Sequence, residues 1–301
     1  MRYGENPHQQ AAFYGELEAA FEKLHGKDIS YNNLVDIESC VYLMSEFDQQ
    51  TAAGKAVFAI IKHTNPCGLA AADTLESAWD KALAADPVSA FGGVLISNSK
   101  IDVATAAKMN ELFFEVLIAP EFEPEALVLL QQKKNRILLK QKMFDFPGMQ
   151  FKSLLNGVLV QDRNTRSANE AELQFVTEIK PTSAQVADLL FAEKIVKHLK
   201  SNGIALVKDN QLIGCGTGQT SRVDALNQAI AKARVFGFST TGSVMASEAF
   251  FPFPDCVEIA HKAGVAAVIQ PGGSVRDKES IEYCNANGVA MVITGIRHFK
   301  H

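Results

Sequence analysis

Short apolar runs separated by amphipathic segments recur along the chain. Val57-Phe58-Ala59-Ile60-Ile61 is a strand-length run without polar interruption, the pattern of a strand covered on both faces. Downstream, Leu75, Ala78, Trp79, Ala82 and Leu83 fall at helical spacing, so a helix is predicted from about Thr74 to Ala84, with Asp73 or Thr74 as its cap. The same order returns later. Ile204-Ala205-Leu206-Val207 reads as a strand, and Val223, Leu226, Ile230 and Ala233 line one face of a helix that Ser221 can cap.

The two copies stand roughly 150 residues apart, and repeats of that kind decide the architecture before local structure does. Cys67-Gly68 follows the first strand as Cys215-Gly216 follows the second. Val94-Leu95-Ile96-Ser97 pairs with Val244-Met245-Ala246-Ser247, and Ile118-Ala119-Pro120 with Ile269-Gln270-Pro271. Each lobe therefore reads strand, helix, strand, helix, strand, an α/β architecture with helices covering a sheet. The polar stretch from Gln161 to Ser183 reads as a connection, giving lobes of residues 1–165 and 166–301. A helix carrying Val186, Leu189, Leu190, Val196 and Leu199 follows it, and Ser201-Asn202-Gly203 ends that helix.

Composition narrows the partners. A net charge of −5 over 301 residues gives no basic field for nucleic acid or an anionic membrane, so an anionic ligand must be held locally. No apolar run reaches the roughly 20 residues of a membrane span, and the start lacks a signal-peptide core, which places the chain in the cytoplasm. Five scattered cysteines with no CxxC pair argue for reduced thiols rather than a disulfide framework or a zinc cage. The motif-dense Arg2-Tyr3-Gly4 directly after Met1 suggests that a segment stands upstream.

Candidate chemistry clusters at predicted strand ends. Lys62-His63-Thr64-Asn65-Pro66-Cys67-Gly68 closes a strand where ligands gather in α/β sheets. A regular strand would send Lys62 and His63 to opposite faces, so both reach one ligand only if the strand breaks there, as Asn65-Pro66 suggests. Histidine can accept a proton near neutral pH and an adjacent ammonium can stabilise an oxyanion, a pair suited to acyl transfer. The alternative is a solvated strand end followed by a hydrogen-bonded turn. Cys67 reads as small-residue packing. Arg2 beside Tyr3 suits a phosphate. Gly214-Cys215-Gly216-Thr217-Gly218 opens a helix, where backbone amides can cradle an anion, but its GxGxG spacing is not the dinucleotide fingerprint. Phe250-Phe251-Pro252-Phe253-Pro254-Asp255 offers a flat apolar surface with one carboxylate, and Pro271-Gly272-Gly273-Ser274-Val275 a permissive loop.

Taken in order, Arg2 to Gln9, Lys62 to Gly68, Ser89-Ala90-Phe91-Gly92-Gly93, Gly216 to Arg222, Phe250-Phe251-Pro252-Phe253 and Arg297-His298-Phe299-Lys300-His301 resemble the transformylase domain of the AICAR transformylase/IMP cyclohydrolase family. The resemblance implies two lobes of cytidine-deaminase-like, three-layer α/β/α fold and a homodimer with shared active sites. It implies formyl transfer from 10-formyltetrahydrofolate to AICAR, the aminoimidazole carboxamide ribonucleotide, in purine biosynthesis. The catalytic pair falls on Lys62 and His63. Arg2, Tyr3, Gly92, Glu115, Asn202, Arg222, Phe250 and Arg297 would face the ribonucleotide, and Asp255, Ser274 and Val275 the folate.

The cyclohydrolase domain that precedes Arg2 in that family is absent, so ring closure is not expected, and at Glu115 some relatives carry Asp. The zinc-deaminase signature fails after His63 and again at Ala70, so no metal is expected. In the expected chemistry His63 removes the amine proton while Lys62 stabilises the oxyanion and the departing folate nitrogen. The competing readings are a catalytically silent nucleotide- or folate-binding dimer module and a zinc deaminase of shared fold.

Overall fold

The structure, a computed structural model, describes residues 1, 3–47 and 54–301. Its first half comprises α1 (Leu17–Ala20), β1 (Phe21–His25), α2 (Tyr31–Met44), β2 (Ala56–Lys62), β3 (Asn65–Ala72) and α3 (Leu75–Ala85), then β4 (Val94–Ser97), α4 (Val103–Met109), β5 (Val116–Ala119), α5 (Pro124–Gln131) and β6 (Ile137–Gln141). A hairpin of β7 (Met149–Leu154) and β8 (Gly157–Asp162) and a short β9 (Gln174–Phe175) follow. The second half comprises α6 (Ser183–Val196), β10 (Ile204–Lys208), β11 (Gln211–Gly216), α7 (Arg222–Val235) and β12 (Val244–Ser247), then α8 (Asp255–Lys262), β13 (Ala267–Gln270), α9 (Asp277–Asn287) and β14 (Ala290–Ile293).

The architecture is α/β. Among the described residues one mixed sheet of twelve strands runs in the order β1-β6-β5-β4-β2-β3-β11-β10-β12-β13-β14-β9. The order on either side of the central β3 and β11 is mirrored: β2, β4, β5, β6 one way and β10, β12, β13, β14 the other. The join is an antiparallel pairing of Gln211 with Ala70, reinforced by the Ala71 N–H donating to the Asn210 carbonyl at 2.9 Å.

Alternation along the strands fills both faces. Val57, Ala59 and Ile61 enter a core under α2 and α6 that spans both halves, while Phe58 and Ile60 pack with Trp79 of α3 on the opposite face. Leu206, Met245 and Val268 do the same against α7 and α8.

The helices follow the expected stripes and caps. Thr74 accepts from the Ser77 N–H at 3.2 Å and Ser221 from the Asp224 N–H at 3.0 Å, which starts α3 and α7 at the anticipated residues. The helix of the second half begins at Ser183 and ends at Val196, a full turn before Ser201.

Two expectations are corrected. Each half opens with an antiparallel hairpin rather than with one strand leading to a helix, because Cys67-Gly68 and Cys215-Gly216 lie inside β3 and β11. Their glycines serve helix packing: a Cβ on Gly68 would lie 2.0 Å from the Ala82 carbonyl oxygen, and one on Gly216 1.8 Å from that of Ala225. Nor is the stretch from Gln161 to Ser183 a featureless connection, since it holds the end of β8, a 3₁₀ turn at Glu170–Glu172 and β9 paired to β14.

Both hairpins turn in two residues held at positive φ, as tight right-twisted hairpins require. In the first these are His63 at 50° and Thr64 at 63°, and in the second Asp209 at 53° and Asn210 at 54°. Neither turn contains glycine.

Candidate active site

The antiparallel join fixes which strand ends meet. Lys62 ends β2, and β2 runs antiparallel to β4, so Lys62 lies at the amino edge of the parallel strands β4 and β5 rather than at their carboxyl edge. Across the join, the same edge carries the carboxyl ends of β12, β13 and β14. The expectation that Lys62 marks the usual ligand crevice of parallel strands is therefore corrected for the first half, while the second half conforms to it.

The strand ends after Lys62, as expected from Asn65-Pro66. Lys62 remains in the ladder, paired with Asn65, and its ammonium donates to the carbonyl oxygens of Phe91 and Gly92 at 2.9 Å each. His63 sits at the first turn position with an exposed imidazole. The Thr64 N–H donates to Asp36 Oδ1 at 2.7 Å, and the Asn65 carboxamide donates to the His63 carbonyl at 2.8 Å. Gly92 needs its φ of 68°, and a Cβ there would stand 3.0 Å from Lys62 Nζ.

From this turn the site continues in two directions. Towards the first half's outer strands, the Glu115 N–H donates to the Gly93 carbonyl and its carboxylate pairs with Lys27 at 2.5 Å. Glu115 lines a cavity of about 560 Å³, and Lys27 also lines one of about 850 Å³ beside Tyr3. Arg2 lies outside the described residues.

Towards the second half, the Thr217 hydroxyl lies 3.1 Å from Asn65 Oδ1 and accepts from the Lys200 N–H at 3.0 Å. Asn202 donates to the Gln219 carbonyl at 2.9 Å and accepts from Arg222 at 2.9 Å. Arg222 is buried; it donates to the Ser247 hydroxyl at 2.9 Å and pairs with the fully buried Glu248. Among the described residues, Arg222 Nε and Glu248 Oε1 find no hydrogen-bond partner.

The remaining expected residues border that patch. Phe250 is half-buried three residues after Ser247, whereas Phe251 is core. The His298 N–H donates to the Glu248 carbonyl, which sets the exposed Arg297 beside it with its guanidinium 4.5 Å from the Phe299 ring. The C-terminal segment is thus docked, with His298 buried 2.7 Å from Glu193. Phe253 lies under the Arg276 guanidinium at 4.7 Å, which brings the Asp255 segment close to the loop of Ser274 and the fully exposed Val275.

Lys62, Gly92 and Glu115 therefore lie on the first-half side of the join, and Asn202, Arg222, Phe250 and Arg297 on the second-half side. Four interstrand steps separate β2 from β12, about 19 Å at the usual strand spacing.

Beneath Lys62 and His63 lies a cavity of about 270 Å³ that the sequence did not announce, lined among others by Asn65, Asp86, Thr217 and Lys232. Burial pushes the Asp86 carboxyl up, but bonds from Lys232 and Ser89 outweigh it and hold it below the usual carboxylate value. Cys67 and Cys215 border the same cavity, and burial pushes their thiols up to about 12 and about 11, which leaves them protonated and poor nucleophiles at neutral pH. Asp36, Asp86 and Glu248 went unnoticed in the sequence, although Asp36 and Asp188 stand at the same offset from their helix caps, Ser30 and Thr182. Among the described residues no three His, Cys, Asp or Glu side chains are placed to share a metal ion, and no helix is long and apolar enough to cross a membrane.

Curated relatives match this chain along its whole length. The bifunctional purine biosynthesis protein PurH of Bacteroides thetaiotaomicron is 59% identical over 301 residues, covering 100% of this chain and 58% of that protein. PurH of Persephonella marina is 49% identical over 311 residues, covering 100% and 59%. The chain thus spans under two thirds of the length of these curated relatives. A solved deaminase/reductase from Thermotoga maritima aligns at 18% identity with a TM-score of 0.25, over 37% of this chain and 35% of that one, too remote to bear on the fold. With residues 1–232 matching its description, the chain belongs to the AICARFT/IMPCHase bienzyme family.

Proposed function

We propose that the chain transfers the formyl group of 10-formyltetrahydrofolate to the 5-amino group of AICAR, giving formyl-AICAR and tetrahydrofolate, in purine biosynthesis in the cytoplasm. The observation that carries this reading is the Lys62-His63 pair on a tight turn, with the ammonium anchored by two carbonyl oxygens and the imidazole open to a ligand. Ring closure of the product is not assigned to this chain.

The accepting amine is conjugated with its ring and carboxamide, so its lone pair attacks sluggishly until a base withdraws the proton. His63 takes that proton as the nitrogen bonds to the formyl carbon. Lys62 faces the oxygen that becomes negative and then supports departure of the folate nitrogen, which leaves with the electron pair of the broken carbon–nitrogen bond and is reprotonated. Asn202, Arg222, Phe250 and Arg297, with Tyr3, Gly92 and Glu115, hold the ribonucleotide. Asp255, Ser274 and Val275 meet the folate beside Phe253.

The mirrored strand order supports two cytidine-deaminase-like α/β/α lobes derived from one unit, divided near residues 165 and 166. A homodimer with shared active sites accounts for two further features. The two groups of proposed ligand-facing residues are set on opposite sides of the β3–β11 join. The β7–β8 hairpin exposes Met149, Phe151, Val158 and Val160, which share one face by register. Turnover of the two substrates by the purified chain tests the reading, and a folded dimer that binds both without turnover would favour the silent binding module.

A further inference from the structure

We propose that Asp36 is a positioning residue for His63, holding the His63-Thr64 turn in its left-handed conformation so that the imidazole faces the site. The carboxylate belongs to α2, six residues past the Ser30 cap, and reaches the turn from beneath the sheet. A β-branched residue at φ 63° is sterically disfavoured, and a two-residue hairpin of this kind ordinarily recruits Asn or Gly. His63-Thr64 supplies neither. The bond from the Thr64 N–H to Asp36 Oδ1 offsets that strain, and burial, which pushes the Asp36 carboxyl up, is opposed by the same bond.

The second half of the molecule supplies the control. Asp188, six residues past the Thr182 cap of α6, accepts from the Asp209 and Asn210 N–H groups at 2.9 and 2.7 Å, over a turn of the same conformation. Lys208 repeats Lys62, donating to the Thr241 carbonyl at 2.8 Å. That turn carries Asp209 where the first carries His63 and lies at the opposite edge of the sheet, where Asn210 meets Ala71. The carboxylate device is therefore a feature of the fold used twice, and in the first half alone it carries a residue of the proposed chemistry.

This inference rests on the formyl-transfer reading for its kinetic test but has a second readout that does not. Asp36→Ala is expected to lower kcat about 10–100-fold with KM for both substrates nearly unchanged. Asp188→Ala, which removes the equivalent bonds, leaves kcat within about twofold at a comparable loss of stability. Adding Thr64→Gly to Asp36→Ala restores most of kcat, because glycine takes this φ without steric cost. Asp36→Asn, which keeps an acceptor oxygen and serves if the alanine variant does not fold, loses about three- to tenfold. Equal kinetic losses at Asp36 and Asp188, or no rescue by Thr64→Gly, would overturn the assignment. Amide hydrogen exchange of the 63–64 turn, expected to quicken at least tenfold in the Asp36 variant, is independent of turnover. A wild type without activity sinks the formyl-transfer reading alone, and unchanged exchange sinks the positioning role alone.

Discussion

The Lys62 ammonium donates to the Gly92 carbonyl oxygen at 2.9 Å, and a Cβ on Gly92 would stand 3.0 Å from that same nitrogen. Glycine is required twice over, by its φ of 68° and by the space the ammonium occupies. Gly92→Ala is therefore expected to cost about 1 kcal/mol of stability and to lower kcat at least about tenfold by displacing Lys62. Steady-state kinetics beside urea unfolding separates the two effects; an unchanged kcat would show that the ammonium can shift without consequence.

Arg222 and Glu248 form a buried pair beside Asn202. Removing the arginine alone strands a carboxylate that is 0% exposed, so Arg222→Met should destabilise the fold by about 3–5 kcal/mol in urea unfolding. The Arg222→Met/Glu248→Gln double variant should recover much of that loss, since no buried charge is then left unpaired. A double variant as unstable as the single would place the cost elsewhere.

Acid sensitivity centres on Glu46, just past α2, and on Lys197 and His198, just past α6. Burial holds the His198 imidazole down to about 4, and Glu46, pushed up by burial, is held at about 2 by bonds from His198 and Lys197. Both folded-state values lie below the unfolded ones, so each group contributes stability above its unfolded value and loses it on acidification. For His198 the window runs from 6.5 to about 4, and for Glu46 from 4.5 to about 2. Unfolding free energy should fall steadily below about pH 6.5, and His198→Phe should flatten the upper part of that slope. A slope unchanged by the substitution would contradict the buried neutral histidine.

Phe151 and Val160 face each other on the exposed hairpin. Phe151→Lys with Val160→Asp, which places opposite charges across the hairpin, is expected to weaken a dimer at least about tenfold in sedimentation equilibrium while leaving monomer stability within about 0.5 kcal/mol. Unaltered association would remove the hairpin from the interface.

Legibility of the fold followed burial. Trp79 and Leu226 fall at helical spacing behind the caps Thr74 and Ser221, so α3 was readable to within a residue and α7 at its start and buried face. Strand β3 was not, because Pro66, Gly68 and three alanines suppress every usual strand signal while the helix above requires those small residues. The break after Lys62 was legible at Asn65-Pro66, but the bond that Asp36 of a distant helix accepts from the Thr64 N–H was not, because nothing in the local sequence points to it. Lys62 and Gly92, both named through the resemblance, are in contact through the Lys62 ammonium and the Gly92 carbonyl. Their distance from Arg222 and Phe250 was not legible, since it depends on the antiparallel join at Ala70 and Gln211.

The most direct test is formation of tetrahydrofolate from 10-formyltetrahydrofolate and AICAR by the wild-type chain and by His63→Ala, with AICAR binding measured on both. The account predicts turnover by the wild type, a fall of about 10²–10⁴ in kcat on substitution, and AICAR binding retained. A folded wild-type dimer that binds both substrates without turnover, or a His63→Ala variant as fast as the wild type, would contradict it.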